Sequence, residues 1–271
     1  QQTAIEASRV PSVPSFWQSW GIRIYAVGAI PTINVSASNN ASVVTWGAAT
    51  GPALVSGTNS ASLWAAGDII GSVTSSAGPA VAVSFGNISA GSSISGGTDA
   101  VALAVGYFLG SVTASDFAGL VTLGDFTAGS VSGNDAVVLT QGSLSGSVNA
   151  GNDAAAFAIG SITGNVTAGN DATLAAFGNI GSTVSAGANI TDLWAGGSIS
   201  GSFTAGSNIG SASLTNDGIF SYGSISGTVS AGGEIQPTEA VGSITGSFSV
   251  GTIGGDLYAG GSVTATTPGN I

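Results

Sequence analysis

The chain has 271 residues, with 2 Lys+Arg against 13 Asp+Glu, no His, no Cys and a formal net charge of −11. Its basic residues are Arg9 and Arg23, so nothing beyond residue 23 can neutralise a phosphate backbone, which argues against nucleic acid as a partner. The lack of Cys removes disulfide and thiol chemistry, and Gly and Ser break every apolar stretch well short of the roughly 18 residues that a spanning helix needs.

Residues 1–20 differ in kind from the rest, with Arg9, Pro11, Pro14, Phe16, Trp17 and Trp20, and are expected to form an N-terminal arm or cap. Gln1 is compatible with a mature terminus left by processing. From Gly21 onward one phrase repeats. It is anchored at Gly28, Gly47, Gly67, Gly86, Gly106, Gly124, Gly142, Gly160, Gly178, Gly197, Gly223, Gly242 and Gly261, at steps of 18 to 20 residues with one step of 26. An unbroken period near 20 means one body of stacked units, so residues 21–271 are expected to be a single repeat domain.

The stretch 160–177 shows what each unit is. From Ser161 to Ala168, Ile162, Gly164, Val166 and Ala168 alternate with Ser161, Thr163, Asn165 and Thr167, the pattern of a strand with one wet face. Gly169-Asn170-Asp171 reads as a turn in which Gly and Asn tolerate positive φ, and a second strand runs from Ala172 to Phe177. Gly is too frequent, and Ser, Thr and Val too common, for a sustained helical stripe. The predicted fold is all-β: a parallel β-solenoid (β-helix) of about 13 rungs with an 18–20-residue repeat. A membrane barrel would need longer strands and aromatic girdles instead of a short fixed repeat.

Stacking turns sequence positions into columns. Two residues after each anchor lie Ile30, Ala49, Ile69, Ile88, Phe108, Phe126, Leu144, Ile162, Ile180, Ile199, Ile225, Ile244 and Val263, the predicted core column. One residue after it, Ser143, Ser161, Asn179, Ser198, Ser224, Ser243 and Ser262 are expected to face water. The 26-residue step predicts a projecting loop insertion near 207–217. The chain's last residues, from Thr266, stop partway through a rung and suggest an open strand edge suited to head-to-tail contact.

Three candidate sites follow. Three residues before the anchor stands a column that includes Tyr25, Trp64, Phe157, Trp194, Phe220 and Tyr258, while the position before it is also apolar. Adjacent strand positions face opposite ways, so one of these columns lies outside the core unless a tight bend encloses both. A stripe of this size needs cover, from the N-terminal arm or from another chain; with Phe16, Trp17 and Trp20 it forms the candidate assembly interface. The second candidate is the flat hydroxyl and amide face, with Ser161, Thr163, Asn165, Thr167 and Thr204, suited to ice or a glycan. The third is the set Asp135, Asp153 and Asp171, each after an Asn at an 18-residue step, which would stack either as a turn ladder or as oxygen ligands for Ca²⁺. No other cofactor is expected. Without His or Lys, base, Schiff-base and triad mechanisms lack parts, and no unstacked carboxylate cluster offers glycoside hydrolysis, so no enzyme activity is expected.

The phrase Gly160-Ser161-Ile162-Thr163-Gly164-Asn165-Val166-Thr167-Ala168-Gly169-Asn170-Asp171 resembles repeats of secreted bacterial β-solenoid surface proteins of the adhesin and autotransporter-passenger type. Its apolar spacing is also similar to that of the bactofilins, solenoids that polymerise end to end, although their charged outer face is missing here. Either resemblance implies a structural or adhesive role with no catalytic residues. The expected protein is secreted or displayed at the cell surface and associates with itself, head to tail and laterally, into a filament, sheath or surface layer. The alternative is a monomeric module that binds ice or glycan.

Overall fold

The computed structural model describes residues 3–7, 16–18, 21–31, 34–210, 218–254 and 256–266. It shows an all-β parallel solenoid of about 12 turns with a spacing of about 19 residues, and no helix among the described residues. The chain divides into two compact units, 1–134 and 135–271. Among the described residues no helix is long and apolar enough to cross a membrane.

Each circuit contributes one strand before its anchor glycine and one after it, and like strands pair in parallel. In the first unit the pre-glycine ladder includes Ile22–Ala26, Asn40–Thr45, Ser60–Ala65, Ala80–Ser84, Ala100–Ala104 and Phe117–Thr122. Its post-glycine ladder includes Asn34–Ala37, Ala49–Gly57, Ile69–Ser75, Ser93–Gly96, Ser111–Ala114 and Ser130–Gly133. The second unit repeats the scheme, from Asp135–Thr140 to Leu257–Ala259 before the glycines and from Ser147–Ala150 to Val263–Thr266 after them.

The core lies between the two ladders of each unit. The column two residues after the anchor is buried as expected from Ile30 to Ile244, and several of its members join by single parallel bridges, such as Leu144 to Ile162 to Ile180. Val263, in the outermost strand of the described ladder, is exposed. Pre-glycine strands such as Ala154–Ala158 and Ala100–Ala104 alternate, burying positions one, three and five. That places the column four residues before the anchor inside, where Leu63, Leu120, Leu174 and Leu193 are fully buried. In the first unit Phe108 and Phe126 fill the core edge to face, with centroids 5.6 Å apart.

Several expectations are corrected. Pairing begins before Gly21: Thr3–Ala7 lies beside Ile22–Ala26 and Phe16–Gln18 beside Asn34–Ala37, so these stretches of the arm are laid onto the ladders. The strand expected over 161–168 is split into a bridge at Ile162, a bend at Gly164 and the strand Val166–Ala168, although the in–out alternation is as predicted. The second strand ends at Ala176, and Phe177 is exposed. Within the expected insertion, Ile209 is buried and bridges Ile190 and Ile235, so 207–210 belongs to the stack. Pairing resumes with Leu193 opposite Ile219, which puts the extra length between Ile209 and Ile219; residues 211–217 lie outside the described residues. Smaller changes of step are bulges: Ala172 pairs Ile190 but Thr173 pairs Asp192, which turns an 18-residue circuit into one of 19.

The glycine column has a cause that the period alone does not reveal. Among the described residues no non-Gly residue has positive φ, and of the anchors only Gly28 does. A Cβ on Gly160 would lie 2.7 Å from the carbonyl carbon and oxygen of Gly142, and one on Gly169 would lie 2.0 Å from the oxygen of Gly151. At anchors such as Gly47, Gly124 and Gly160 glycine is required because successive circuits touch backbone to backbone, whereas Gly28, with φ +122° and nothing within 4 Å of its Cβ position, is held by its backbone conformation. The contact carries a continuous hydrogen-bonded ladder, in which Gly160 N donates to Gly142 O at 2.9 Å, Gly178 N to Gly160 O at 3.0 Å and Gly197 N to Gly178 O at 2.9 Å.

Candidate assembly face and polar ladders

Because position minus four faces inward, position minus three faces outward. Tyr25, Val44, Trp64, Val83, Leu103 and Val121 stand in direct register in the first unit, and Leu139, Phe157, Ala175, Trp194, Phe220, Glu239 and Tyr258 in the second. Tyr25, Trp64, Phe157 and Tyr258 are exposed, while Trp194 and Phe220 are half-buried. Val83, between Trp64 and Leu103, is only 8% exposed. A tight bend does not enclose both columns.

A second exposed column, which sequence reasoning missed, lies two residues along the same outward face, immediately before the anchor. It holds Val27, Trp46, Phe85, Val105 and Leu123 in the first unit and Ile159, Phe177, Tyr222 and Val241 in the second. Val27 is 81% exposed, Trp46 74%, Phe177 69% and Phe85 64%, against 42% for Tyr25, 46% for Trp64 and 38% for Phe157. The signal was present, because the alternation that sends minus three outward sends minus one outward too. In the second unit the columns interlock. Phe177 meets Trp194 at 5.1 Å, Trp194 meets Tyr222 at 6.4 Å and Phe220 meets Tyr222 at 5.1 Å, all near perpendicular, which is why Trp194 and Phe220 are half-covered.

Phe16 and Trp17 belong to the other ladder, where they share register with Val35 and Ser36, so their strand lies outside the stripe's sheet. Trp20 lies outside the described residues.

The outward side of the post-glycine ladder is the polar face. In register, Ser36, Ser56, Thr74, Ser95, Thr113 and Ser132 form one column in the first unit, and Asn149, Thr167, Ser185, Thr204, Ser230 and Ser249 its counterpart in the second. Thr163, Asn165, Thr167 and Thr204 are exposed, and Ser161 is half-buried.

Ser161 is diverted to another task. Its Oγ accepts from Asn179 N at 3.0 Å, Asn179 Oδ1 accepts from Ser198 N at 2.8 Å and Ser198 Oγ from Ser224 N at 3.1 Å. The column after the anchor, expected to face water, does so at Asn179 and Ser262 but is half-buried at Ser143, Ser161, Ser198, Ser224 and Ser243, and it forms a ladder that ties circuits together. The acidic column does the same at the opposite turn. Asp135 Oδ1 accepts from Asn152 Nδ2 at 3.0 Å and Asp153 N at 3.2 Å; Asp153 Oδ1 from Asn170 Nδ2 at 2.9 Å and Asp171 N at 3.1 Å; Asp171 Oδ1 from Asn189 N and Nδ2, both at 2.9 Å. One oxygen of each carboxylate thus holds the adjacent turn. Among the described residues no three acidic side chains gather as a metal site.

Comparison with known protein families, curated proteins and solved structures finds no match to this chain.

Proposed function

We propose that this chain is an extracellular structural protein that associates with copies of itself through the outward face of its pre-glycine ladder. The observation that carries the reading is the pair of adjacent exposed apolar columns. An aromatic side chain has about 150–250 Å² to bury, so Trp46, Phe85, Trp64 and Tyr25 together present on the order of 400 Å² in the first unit, where the largest patch on a typical monomer stops. Covering each ring contributes about 2 kcal/mol. The 6% charged content offers little to keep such faces apart, and with Arg only at 9 and 23 the assembled chain presents almost no sites to proteases that cut after basic residues. The resemblance to secreted β-solenoid surface proteins and to polymerising bactofilins points the same way, to self-association with no catalytic step.

The test is electron microscopy and sedimentation velocity on the wild-type chain, on Trp46→Ser/Phe85→Ser and on Phe177→Ser/Tyr222→Ser. All four side chains are exposed, so circular dichroism should be unchanged while assemblies dissolve or their critical concentration rises at least tenfold, the about 2 kcal/mol per ring being shared over each contact. A wild-type chain that stays monomeric at tens of micromolar would refute the reading.

The registered Ser/Thr columns favour a second reading, a polar face that meets ice or a glycan. Thr167→Tyr/Thr204→Tyr separates the two: it should abolish ice or glycan binding and leave aromatic-face assembly intact.

A further inference from the structure

The last circuits of the second unit carry a groove of about 330 Å³ whose walls include Asp192, Trp194, Phe220, Tyr222 and Glu239. Three of its walls are aromatic rings set nearly at right angles, with interplanar angles of 87° for Trp194–Tyr222 and for Phe220–Tyr222. Perpendicular rings do not make the flat platform on which a sugar stacks. They make a concave corner in which the electron-rich face of one ring meets the electron-poor edge of the next, so a cation's attraction is to the faces.

Two carboxylates border the same corner. Glu239 occupies a position of the aromatic column, between Phe220 and Tyr258 in register, and it also borders a second, smaller hollow of about 190 Å³ with Tyr258. It is half-buried. Residues 24–271 contain no Lys, Arg or His, so nothing in the second unit can supply the opposite charge. Glu239, set in the aromatic column of a unit without a basic residue, can find a cationic partner only outside that unit.

We propose that this groove binds an organic cation, an alkylammonium or guanidinium group, held against the aromatic corner of Trp194, Phe220 and Tyr222 and by the carboxylate of Glu239, with Asp192 on its border. Aromatic faces attract such a cation through their quadrupole, most strongly where water is excluded, and an added carboxylate supplies the net charge. A hard inorganic ion is not the match, because aromatic walls offer it no oxygen ligands. The groove lies on the same outward face as the proposed contact, so binding is read on dispersed chains, with the Trp46→Ser/Phe85→Ser variant as the soluble form.

The test is saturation-transfer NMR and calorimetry with choline against its neutral isostere 3,3-dimethylbutan-1-ol. Choline should show saturable transfer to its N-methyl protons and bind roughly tenfold more tightly than the neutral isostere. Glu239→Gln, which keeps the shape, should weaken choline roughly threefold or more and leave the isostere unmoved; Tyr222→Ala should weaken both. Equal binding of the two ligands, no effect of Glu239→Gln, or no transfer at all would overturn the proposal. The Arg23→Gln chain identifies the source, since Arg23 is exposed in the first unit. Tighter choline binding there assigns the cation to Arg23 of a second copy, unchanged binding assigns it to a free small molecule, and both outcomes support the site.

Discussion

If the anchor glycines are there because circuits touch, three glycine-to-alanine substitutions should differ in sign. At Gly160 the new Cβ would sit 2.5 Å from Ser143 Oγ and 2.7 Å from the carbonyl of Gly142. Moving the backbone out to an ordinary 3.4 Å contact separates the circuits by about 0.7 Å. That stretches the 2.9 Å bond from Gly160 N to Gly142 O to about 3.6 Å, beyond hydrogen-bond range. A lost backbone bond and overpacking cost about 2–4 kcal/mol, against about 0.4–1 kcal/mol returned by a stiffer unfolded chain. Gly160→Ala should therefore destabilise by about 2 kcal/mol or more. Gly181 is the control: its Cβ would meet nothing closer than 3.5 Å and its φ is not positive, so Gly181→Ala should be neutral or stabilise by about 0.4–1 kcal/mol. Gly91 isolates the backbone term, with φ +84° and nothing within 4 Å, and Gly91→Ala should cost about 1–2 kcal/mol. Guanidinium unfolding followed by circular dichroism measures all three. Equal effects at Gly160 and Gly181 would refute the crowding argument.

Other outcomes follow from the ladders. Asp153→Ala removes the acceptor of Asn170 Nδ2 and Asp171 N and should cost about 1 kcal/mol at this exposed turn, whereas Asp153→Asn keeps an oxygen there and should cost less; equal losses would show that charge, not acceptance, matters. Ser84 and Ser182 make a contrasting pair of buried hydroxyls. Ser84 Oγ donates to Gly67 O at 2.8 Å and accepts from Gly86 N at 3.1 Å, so Ser84→Ala should cost about 1–2 kcal/mol. Ser182 Oγ has no partner, so Ser182→Ala should be neutral or stabilising in the same unfolding assay. Because the acidic column is engaged in turn bonding, a calcium chelator should leave the unfolding midpoint unmoved; a clear fall on chelation, restored by Ca²⁺, would reopen Asp135, Asp153 and Asp171 as ligands.

Much of the architecture was legible in the sequence because a solenoid converts period into geometry. Once circuits stack, equal spacing becomes a column, and alternation within a strand says which columns face in. That logic placed Ile162 in the core and singled out the column of Tyr25, Trp64, Phe157 and Tyr258 as the candidate stripe, and these four are exposed. What escaped lay where alternation meets a turn. Trp46, Phe85, Phe177 and Tyr222 adjoin the anchor glycine, and whether a residue there projects outward depends on the path of the backbone leaving the strand. Phe16 and Trp17 went to the opposite ladder because partner choice is a long-range pairing that their local pattern does not encode.

The sequence by itself determined the coil, its step and the buried column two residues after the anchor, since these follow from repeated local alternation. The tertiary structure decided why the anchors are glycine, that the serines after them form a ladder, and that Trp194, Phe220, Tyr222 and Glu239 meet around one groove. Each of these depends on distances between residues about 19 positions or more apart, which exist only after one circuit is laid on the next.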